Sequence, residues 1–505
     1  MQLRNPIIPG FYPDPSVCRV GRDFYLVTSS FEYFPGVPLF HSHDLLHWRQ
    51  IGHCLTRPSQ LPLEHSRPSG GIFAPTIRHH NERYYMVTTN MTHGGHFYVC
   101  ADDPAGEWSE PIWIDTGLRG IDPSLLFDDD GEVYFTSTGW GQGIVQCTID
   151  IASGEPTSEV RQIWSGTGGA WAEAPHLYKI NGLYYLLLAE GGTGLGHMCT
   201  LARSESPWGP FEPCPHNPIL SHRSSDLPLQ ATGHAELIDA GDGSWWLAFL
   251  GIRPVGAFPM THHLGRETNL APVQWTADGW PVVGLEGHVP AEIEIEPLPL
   301  APWPAAHVRD DFGHTTLALC WNHLRNPQPG SWSLTGRPGH LRLQGSALTL
   351  SDVDAPAFVG RRQQHMACRA TCRLLFDPAN DHDEAGLTVF MNDQHHYEIA
   401  VRRTGGHRCI IMRRQIGSLR SVVAIRELPA GPVTLSMTAD AASYTLSYAA
   451  NDDALQPLAT CETRYLSTEV AGGFTGVYIA MYATGNGQAT VAPADFDWFE
   501  YEPLK

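Results

Sequence analysis

Phe11-Tyr12-Pro13-Asp14-Pro15-Ser16 decides how this chain is read. It sets a carboxylate directly before a proline, where a strand can begin but not yet pair. Val17-Cys18-Arg19-Val20 follows, then a polar turn, Gly21-Arg22-Asp23, and the apolar run Phe24-Tyr25-Leu26-Val27-Thr28. Two apolar runs around a short polar turn predict a β-hairpin.

The same unit returns four times. Ala74-Pro75-Thr76-Ile77 leads through Asn81-Glu82-Arg83 to Tyr84-Tyr85-Met86-Val87. Asp122-Pro123-Ser124-Leu125-Leu126 leads through Asp128-Asp129-Asp130-Gly131 to Val133-Tyr134-Phe135. Glu173-Ala174-Pro175-His176-Leu177 leads through Asn181-Gly182 to Tyr184-Tyr185-Leu186-Leu187. His234-Ala235-Glu236-Leu237-Ile238 leads through Gly241-Asp242-Gly243 to Trp245-Trp246-Leu247-Ala248. Recurrence at roughly 40–50 residues or a little more is the spacing of propeller blades. The copies end near Pro290, which predicts a five-bladed β-propeller over residues 1–296. A β-sandwich of similar hairpins is the alternative, but five copies that open at the same point favour the propeller.

In a propeller the first strand of each blade lines the central channel. The heads of those strands carry Asp14, Asp122, Glu173 and His234. Three carboxylates and a histidine from distant parts of the chain would meet in one pocket. Gathering like charges there is costly unless they are paired or protonated, which marks a functional site.

Composition agrees with an all-β protein: 505 residues with 50 Gly, 40 Pro and 15 Trp, and no long amphipathic-helix pattern. The net charge of −21 argues against nucleic acid, anionic membranes and acidic polysaccharides as partners, since those need Lys and Arg. A neutral substrate, or a cation, fits better. Met1-Gln2-Leu3-Arg4-Asn5-Pro6 shows no basic region followed by an apolar one, and no apolar run is long enough to span a bilayer. Eleven scattered cysteines, with only Cys368 and Cys372 close together, read as free thiols in a reducing cytoplasm rather than as a zinc site. The sequence leaves room for assembly into a homo-oligomer.

Other residues cluster after the inner hairpins. Phe31 either packs in the core or returns over the channel mouth. Phe73, beside Ala74, and Trp140 are flat aromatics suited to stacking on a sugar ring or to core packing. Glu190-Gly191-Gly192-Thr193 lacks the glycine spacing of a phosphate loop. In His262-His263-Leu264-Gly265-Arg266-Glu267-Thr268 the permanent positive charge is Arg266, a clamp for a carboxylate or hydroxyls, or a surface partner of Glu267. Residues 297–308 are proline-rich and predict a semi-rigid linker. Short strands across 309–505 predict a β-sandwich.

Two carboxylates across an aromatic-lined pocket are what glycoside hydrolysis needs, one protonated as acid and one ionised as base or nucleophile. Glu173 has the longer reach and the apolar neighbours Trp171 and Ala172, so it is assigned the acid. Asp122, one blade away, would raise the pKa of Glu173 by like-charge proximity. Asp14 is left as the base.

These motifs resemble those of glycoside hydrolase family 43, in its branch of exo-acting β-xylosidases and α-L-arabinofuranosidases. The resemblance is carried by Asn5-Pro6, Gly10 to Ser16, Ser29 to Gly36, Gly120 to Ser124, Glu173 to Lys179 and Leu264 to Thr268. It implies an inverting enzyme with Asp14 as base, Glu173 as acid and Asp122 as the tuning acid. It implies that Arg266 and His234 contact the sugar or its acids, and that Phe31, Phe73, Ala74, Trp140 and Thr193 shape the sugar pocket. No cofactor is required, although the resemblance places a calcium ion in the channel of some relatives, faced through water by the histidine matching His234. Phe73 departs from the tryptophan usual there and offers a smaller platform. The second domain resembles a concanavalin A-like sandwich that helps close the pocket, with Phe474 the candidate contact. A closed pocket favours release of terminal xylose or arabinose from short oligosaccharides. The rival readings are an endo-arabinanase, which needs an open groove, and a carbohydrate-binding propeller without catalysis.

Overall fold

Each hairpin read from the sequence is the inner part of a separate antiparallel sheet. The computed structural model describes residues 1–296, 299–305 and 307–504. Five inner strands open the five sheets: β1 (Ser16–Val20), β2 (Thr76–His80), β3 (Gly120–Phe127), β4 (Glu173–Ile180) and β5 (Gln230–Asp239). Four of the sheets have four strands; the fourth along the chain has a fifth, Leu220–Ser221, paired to its third strand. Strands follow one another in meander order, and short polar turns join the first two strands of each sheet. β1 packs against β2, β2 against β3, β3 against β4, β4 against β5, and β5 returns to β1. The ring is clasped where Gln2–Arg4 pairs with Glu292–Glu294. Asn5 holds the same seam, its Nδ2 donating to the Leu270 carbonyl at 2.9 Å and its Oδ1 accepting from the Leu270 amide at 2.8 Å.

The inner strands are not regular at their heads. The ladder slips between Ile121 and Ser124, between Glu173 and His176, and twice around Gln230–Ala235. Each slip inserts an extra residue into the inner strand, a β-bulge that re-aims the side chain beside it. Asp122-Pro123 and Ala174-Pro175 lie in these bulges, where a proline removes no ladder bond. The motif residues also hold positive φ: Asp14 +57°, Asp122 +53°, Ala174 +55° and His234 +42°. None is glycine, so each position costs about 1–3 kcal/mol, a cost that clusters at functional sites.

The second half of the chain is a pair of antiparallel sheets, one of eight strands and one of six. They face each other across one core, with Cys372, Leu435 and Phe496 from the first and Val359, Leu387 and Met481 from the second. The two halves are joined through a buried aromatic cluster that includes Phe11, Phe31, Tyr33, Phe358 and Tyr478. Tyr33 stacks on Tyr478 at 3.9 Å, and Tyr33–Phe34 pairs with His323–Leu324. Gly265 and Gly476 allow the closest approach: a Cβ on Gly476 would lie 2.4 Å from the Leu264 carbonyl oxygen. Of the linker expected over 297–308, Pro297, Leu298 and Ala306 lie outside the described residues. Part of the rest docks on the first sheet, where the Ala301 amide donates to Asp44 and the Trp303 indole donates to the His41 carbonyl, while the Val308 carbonyl accepts from the Tyr501 amide of the sandwich. Among the described residues no helix is long and apolar enough to cross a membrane.

Candidate active site

The strand heads converge as the repeat predicts. Asp14 is buried, and its carboxylate is held from three sides. Arg266 Nη1 donates to Oδ1 at 2.7 Å, Ser29 Oγ donates to Oδ2 at 2.5 Å, and His234 Nδ1 stands 3.5 Å from Oδ1. Burial alone would raise the Asp14 pKa. The charge on Arg266, then His234 and the Ser29 hydrogen bond, more than offset it and hold the carboxyl below the usual range. Arg266 is therefore a buried partner of Asp14. Its neighbour Glu267 has other partners, the Gly10 amide and the Arg253 guanidinium.

Glu173 and Asp122 go the other way. Burial, and then the negative charge on Asp14, raise Glu173 to about 7, against a smaller pull from Arg266. Burial, then Glu173, then Asp14 push Asp122 well above its ordinary value. Repulsion between the two is mutual, so they titrate as a pair that holds a proton at neutral pH. The lift on Glu173 comes first from burial and Asp14 rather than from Asp122 alone. Nor is Trp171 the apolar wall expected beside it: Trp171 is 75 % exposed and lies against the Gly192 backbone. His234 is pushed down to about 4, by burial first and against the pull of Asp14, so it is neutral at neutral pH.

Aromatic rings cover this group. Phe31 is buried, with its ring 5.8 Å from Phe11, 5.2 Å from Phe73 and 6.1 Å from Phe474. The two readings of Phe31 thus merge: it packs in the core and stands over the site. The Arg266 guanidinium lies 5.8 Å from the Phe31 ring and 5.7 Å from that of Phe474. Phe474 comes from the sandwich and is fixed by its amide donating to Ser69 Oγ at 2.8 Å. Ala74 is buried beside half-buried Phe73. Thr193 is exposed and lines a cavity together with Arg266 and Phe474. Trp140 stands apart, 51 % exposed, on a second cavity with Trp113 and Arg119.

Three residues that matter here were not singled out. Ser29 lies inside a quoted motif, but a hydroxyl after a strand carries no signal of what it will meet. Arg78 and Glu236 lie on β2 and β5, where a charge reads as solvent-facing. Arg78 instead fills the channel. Its Nη1 donates to Glu236 Oε2 at 3.0 Å, its Nη2 to Glu236 Oε1 at 3.2 Å, and its Nε to the Leu125 carbonyl at 3.1 Å. Its Nη2 is 3.1 Å from His176 Nδ1. Ser16 Oγ and Tyr178 Oη also donate to Glu236, at 2.8 and 2.5 Å. One guanidinium and one carboxylate thereby tie all five inner strands. These residues do not fit a calcium cage, which takes about six to eight oxygen ligands. The oxygens near His234 are committed to Arg266, Ser29 and Arg78, and Arg78 already supplies positive charge. Among the described residues one His/Asp group has ligand atoms within 4.8 Å of one another, Asp23, His41 and His43, and it does not include His234.

A local environment that keeps one carboxyl ionised and another protonated is suited to acid–base hydrolysis of a glycosidic bond. Known proteins agree. Residues 3–281 match the model of glycosyl hydrolases family 43, and residues 309–502 match that of the beta xylosidase C-terminal concanavalin A-like domain. The chain is 48% identical to a non-reducing end alpha-L-arabinofuranosidase of Bacteroides ovatus, over 99% of this chain and 95% of that protein. It is 33% identical to a beta-xylosidase of Bacillus subtilis, over 99% and 100%. Among solved structures it matches a family 43 protein from a Bacteroides ovatus xyloglucan locus with a TM-score of 0.96 at 47% identity, covering 100% of both chains. It matches a xylan beta-1,4-xylosidase of Bacillus halodurans with a TM-score of 0.94 at 35% identity, over 99% and 100%. The chain is a glycosidase and belongs to glycosyl hydrolase family 43.

Proposed function

We propose that this enzyme releases terminal xylose, arabinose or both from the non-reducing ends of short xylo- or arabino-oligosaccharides, with inversion. The observation that carries the reading is the opposite displacement of two carboxyls in one pocket, Asp14 below its ordinary range and Glu173 up to about 7. Asp14 takes a proton from the attacking water. Glu173 delivers a proton to the leaving glycosidic oxygen. Asp122 shares its proton with Glu173 and keeps that acid charged with one, while Arg266 holds Asp14 ionised and in place. The ring of inner strands supports a five-bladed propeller over 1–296, a linker over 297–308 and a sandwich over 309–505. The position of Phe474 beside Phe31 and Arg266 supports a pocket closed by the sandwich, and hence exo action. Eleven free cysteines, nine of them buried, support work in a reducing cytoplasm. The Arg78 network supports turnover without calcium.

The test is product analysis on xylobiose, xylotriose and linear arabinan, together with Glu173→Ala. Monosaccharide should be the first product. The variant should lose about 10²–10⁴-fold in turnover on natural oligosaccharides while still binding them. Early long oligomers would replace exo action with the endo-arabinanase reading. Undiminished turnover in the variant would remove Glu173 from the acid's role.

A further inference from the structure

His41-Ser42-His43 ends the third strand of the first sheet, Gly36–Ser42. Alternate residues along a strand point to one face, so the two imidazoles lie on the same side. The register brings a carboxylate to them. Tyr25 pairs with His41 and Phe24 with Ser42, so Asp23, one residue earlier, stands across from His43. The three side chains converge on one atom: His41 Nε2 lies 2.8 Å and His43 Nδ1 2.7 Å from Asp23 Oδ1. All three ligand atoms fall within 4.8 Å of one another.

The group is braced and still reachable. Tyr25 stacks on His41 at 4.9 Å with the rings 8° apart. The Trp303 indole donates to the His41 carbonyl at 3.1 Å, and its ring lies 5.0 Å from that of His43. The His43 side chain is 42 % exposed and that of Asp23 37 % exposed, which leaves a path from solvent. Two imidazole nitrogens and one carboxylate oxygen suit a divalent transition metal, whereas calcium and magnesium select oxygen alone. Zinc sits about 2.0–2.2 Å from such ligands, and in tetrahedral geometry the ligands then stand about 3.4 Å apart. The two short contacts on Oδ1 therefore need to open by about 0.6–0.7 Å, a small shift for surface side chains. Three protein ligands leave a fourth position for water, the pattern of an open site rather than a closed structural one.

We propose that Asp23, His41 and His43 form an exchangeable site for a divalent transition-metal ion such as zinc. It takes no part in hydrolysis. The acids stand at the heads of the inner strands, and β1 runs from Ser16 away from the mouth to Val20, just before the turn that leads to Asp23. The site is thus at the end of the first sheet away from Asp14.

The test uses the full chain without an affinity tag, stripped with chelator and dialysed, because an ion on three partly exposed ligands exchanges with solvent. Calorimetric titration with Zn²⁺ should show one site per chain, and Co²⁺ should give the visible absorption bands of an ion bound through nitrogen and oxygen. His43→Ala, at an exposed position past the end of the strand, should weaken Zn²⁺ binding by about tenfold or more. Asp23→Asn, nearly the same in shape, should do the same. Both variants should keep the parent's rate on nitrophenyl pentosides. A parent that takes up neither ion would overturn the site. So would binding at full strength in both variants, since the ion would then be held elsewhere among the 26 histidines. Hydrolysis lost together with the metal would overturn its separation from the reaction.

Discussion

Two layers of the same channel set buried carboxylates in very different states. In the layer at the mouth, Asp14, Asp122 and Glu173 share one guanidinium, that of Arg266. Two residues further along β5 from His234, Glu236 has a guanidinium almost to itself and accepts from two hydroxyls as well. Glu236 and Asp122 are buried alike, and burial is the first influence on both. Yet Glu236 is held far below the usual carboxylate range and Asp122 far above it. The count of positive partners decides the outcome, because desolvation disfavours a charge and a close opposite charge restores it. The inner layer is therefore a fastener and the mouth a reactive site.

Removing the fastener should have the largest effect on stability. Arg78→Met leaves Glu236 buried without its cation, and breaking such a pair costs about 3–5 kcal/mol. The apparent melting temperature should fall by several degrees, and Arg78→Met with Glu236→Gln should recover much of the loss. Should the single variant melt like the parent protein, the inner layer is not what holds the ring. A chelator should leave the parent's melting temperature unchanged, because Arg78 supplies the positive charge in the channel.

The contrast at the mouth can be read in the pH dependence of kcat/KM. Glu173 works protonated, and burial with the Asp14 charge raises it to about 7. Activity is therefore full below that value and lost as pH rises through it, about tenfold per unit beyond. Asp14 works ionised and is held low, so the acid limb should lie below the ordinary aspartate range. Rates measured on an unactivated pentoside from pH 3 to 9 would show a broad plateau. An alkaline limb near ordinary glutamate values would mean that the mouth is no richer in unbalanced charge than the inner layer.

The sequence carried the mouth further than it carried the inner layer, for a physical reason. Asp14, Asp122, Glu173 and His234 stand at the same point of a repeated hairpin, so their convergence follows from the repeat. Arg266 and Phe474 were legible as candidates, and the packing decided their partners. Arg78 was illegible. A strand such as Thr-Ile-Arg-His-His normally turns its charges to water, and only ring closure brings Glu236 from the fifth sheet to meet it. The bulges that aim Asp122 and Glu173 left a trace, the proline after each, without revealing the backbone slip. Trp171 shows the converse error: adjacency to Glu173 suggested an apolar wall, but at a bulged strand head the neighbouring side chain points away into solvent. The apolar cavity beside Arg266 had no linear signal, since Leu195, Phe258 and Phe474 come to line it together only in the fold.

The smallest expected effect lies in the Ser29 hydroxyl, whose bond to Asp14 Oδ2 is the mouth's nearest counterpart to the hydroxyls on Glu236. A hydrogen bond to a charged acceptor contributes about 1.5–3 kcal/mol, and about 1.4 kcal/mol corresponds to one pKa unit. Ser29→Ala should thus move the acid limb of kcat/KM upward by about one to two units and leave the alkaline limb, set by Glu173, where it was. Ser29→Thr keeps the donor and should restore the limb. A merely structural role would lower the whole profile without shifting it, so an unmoved acid limb in the alanine variant would show that Arg266 and His234 fix the charge on Asp14 without the Ser29 hydroxyl.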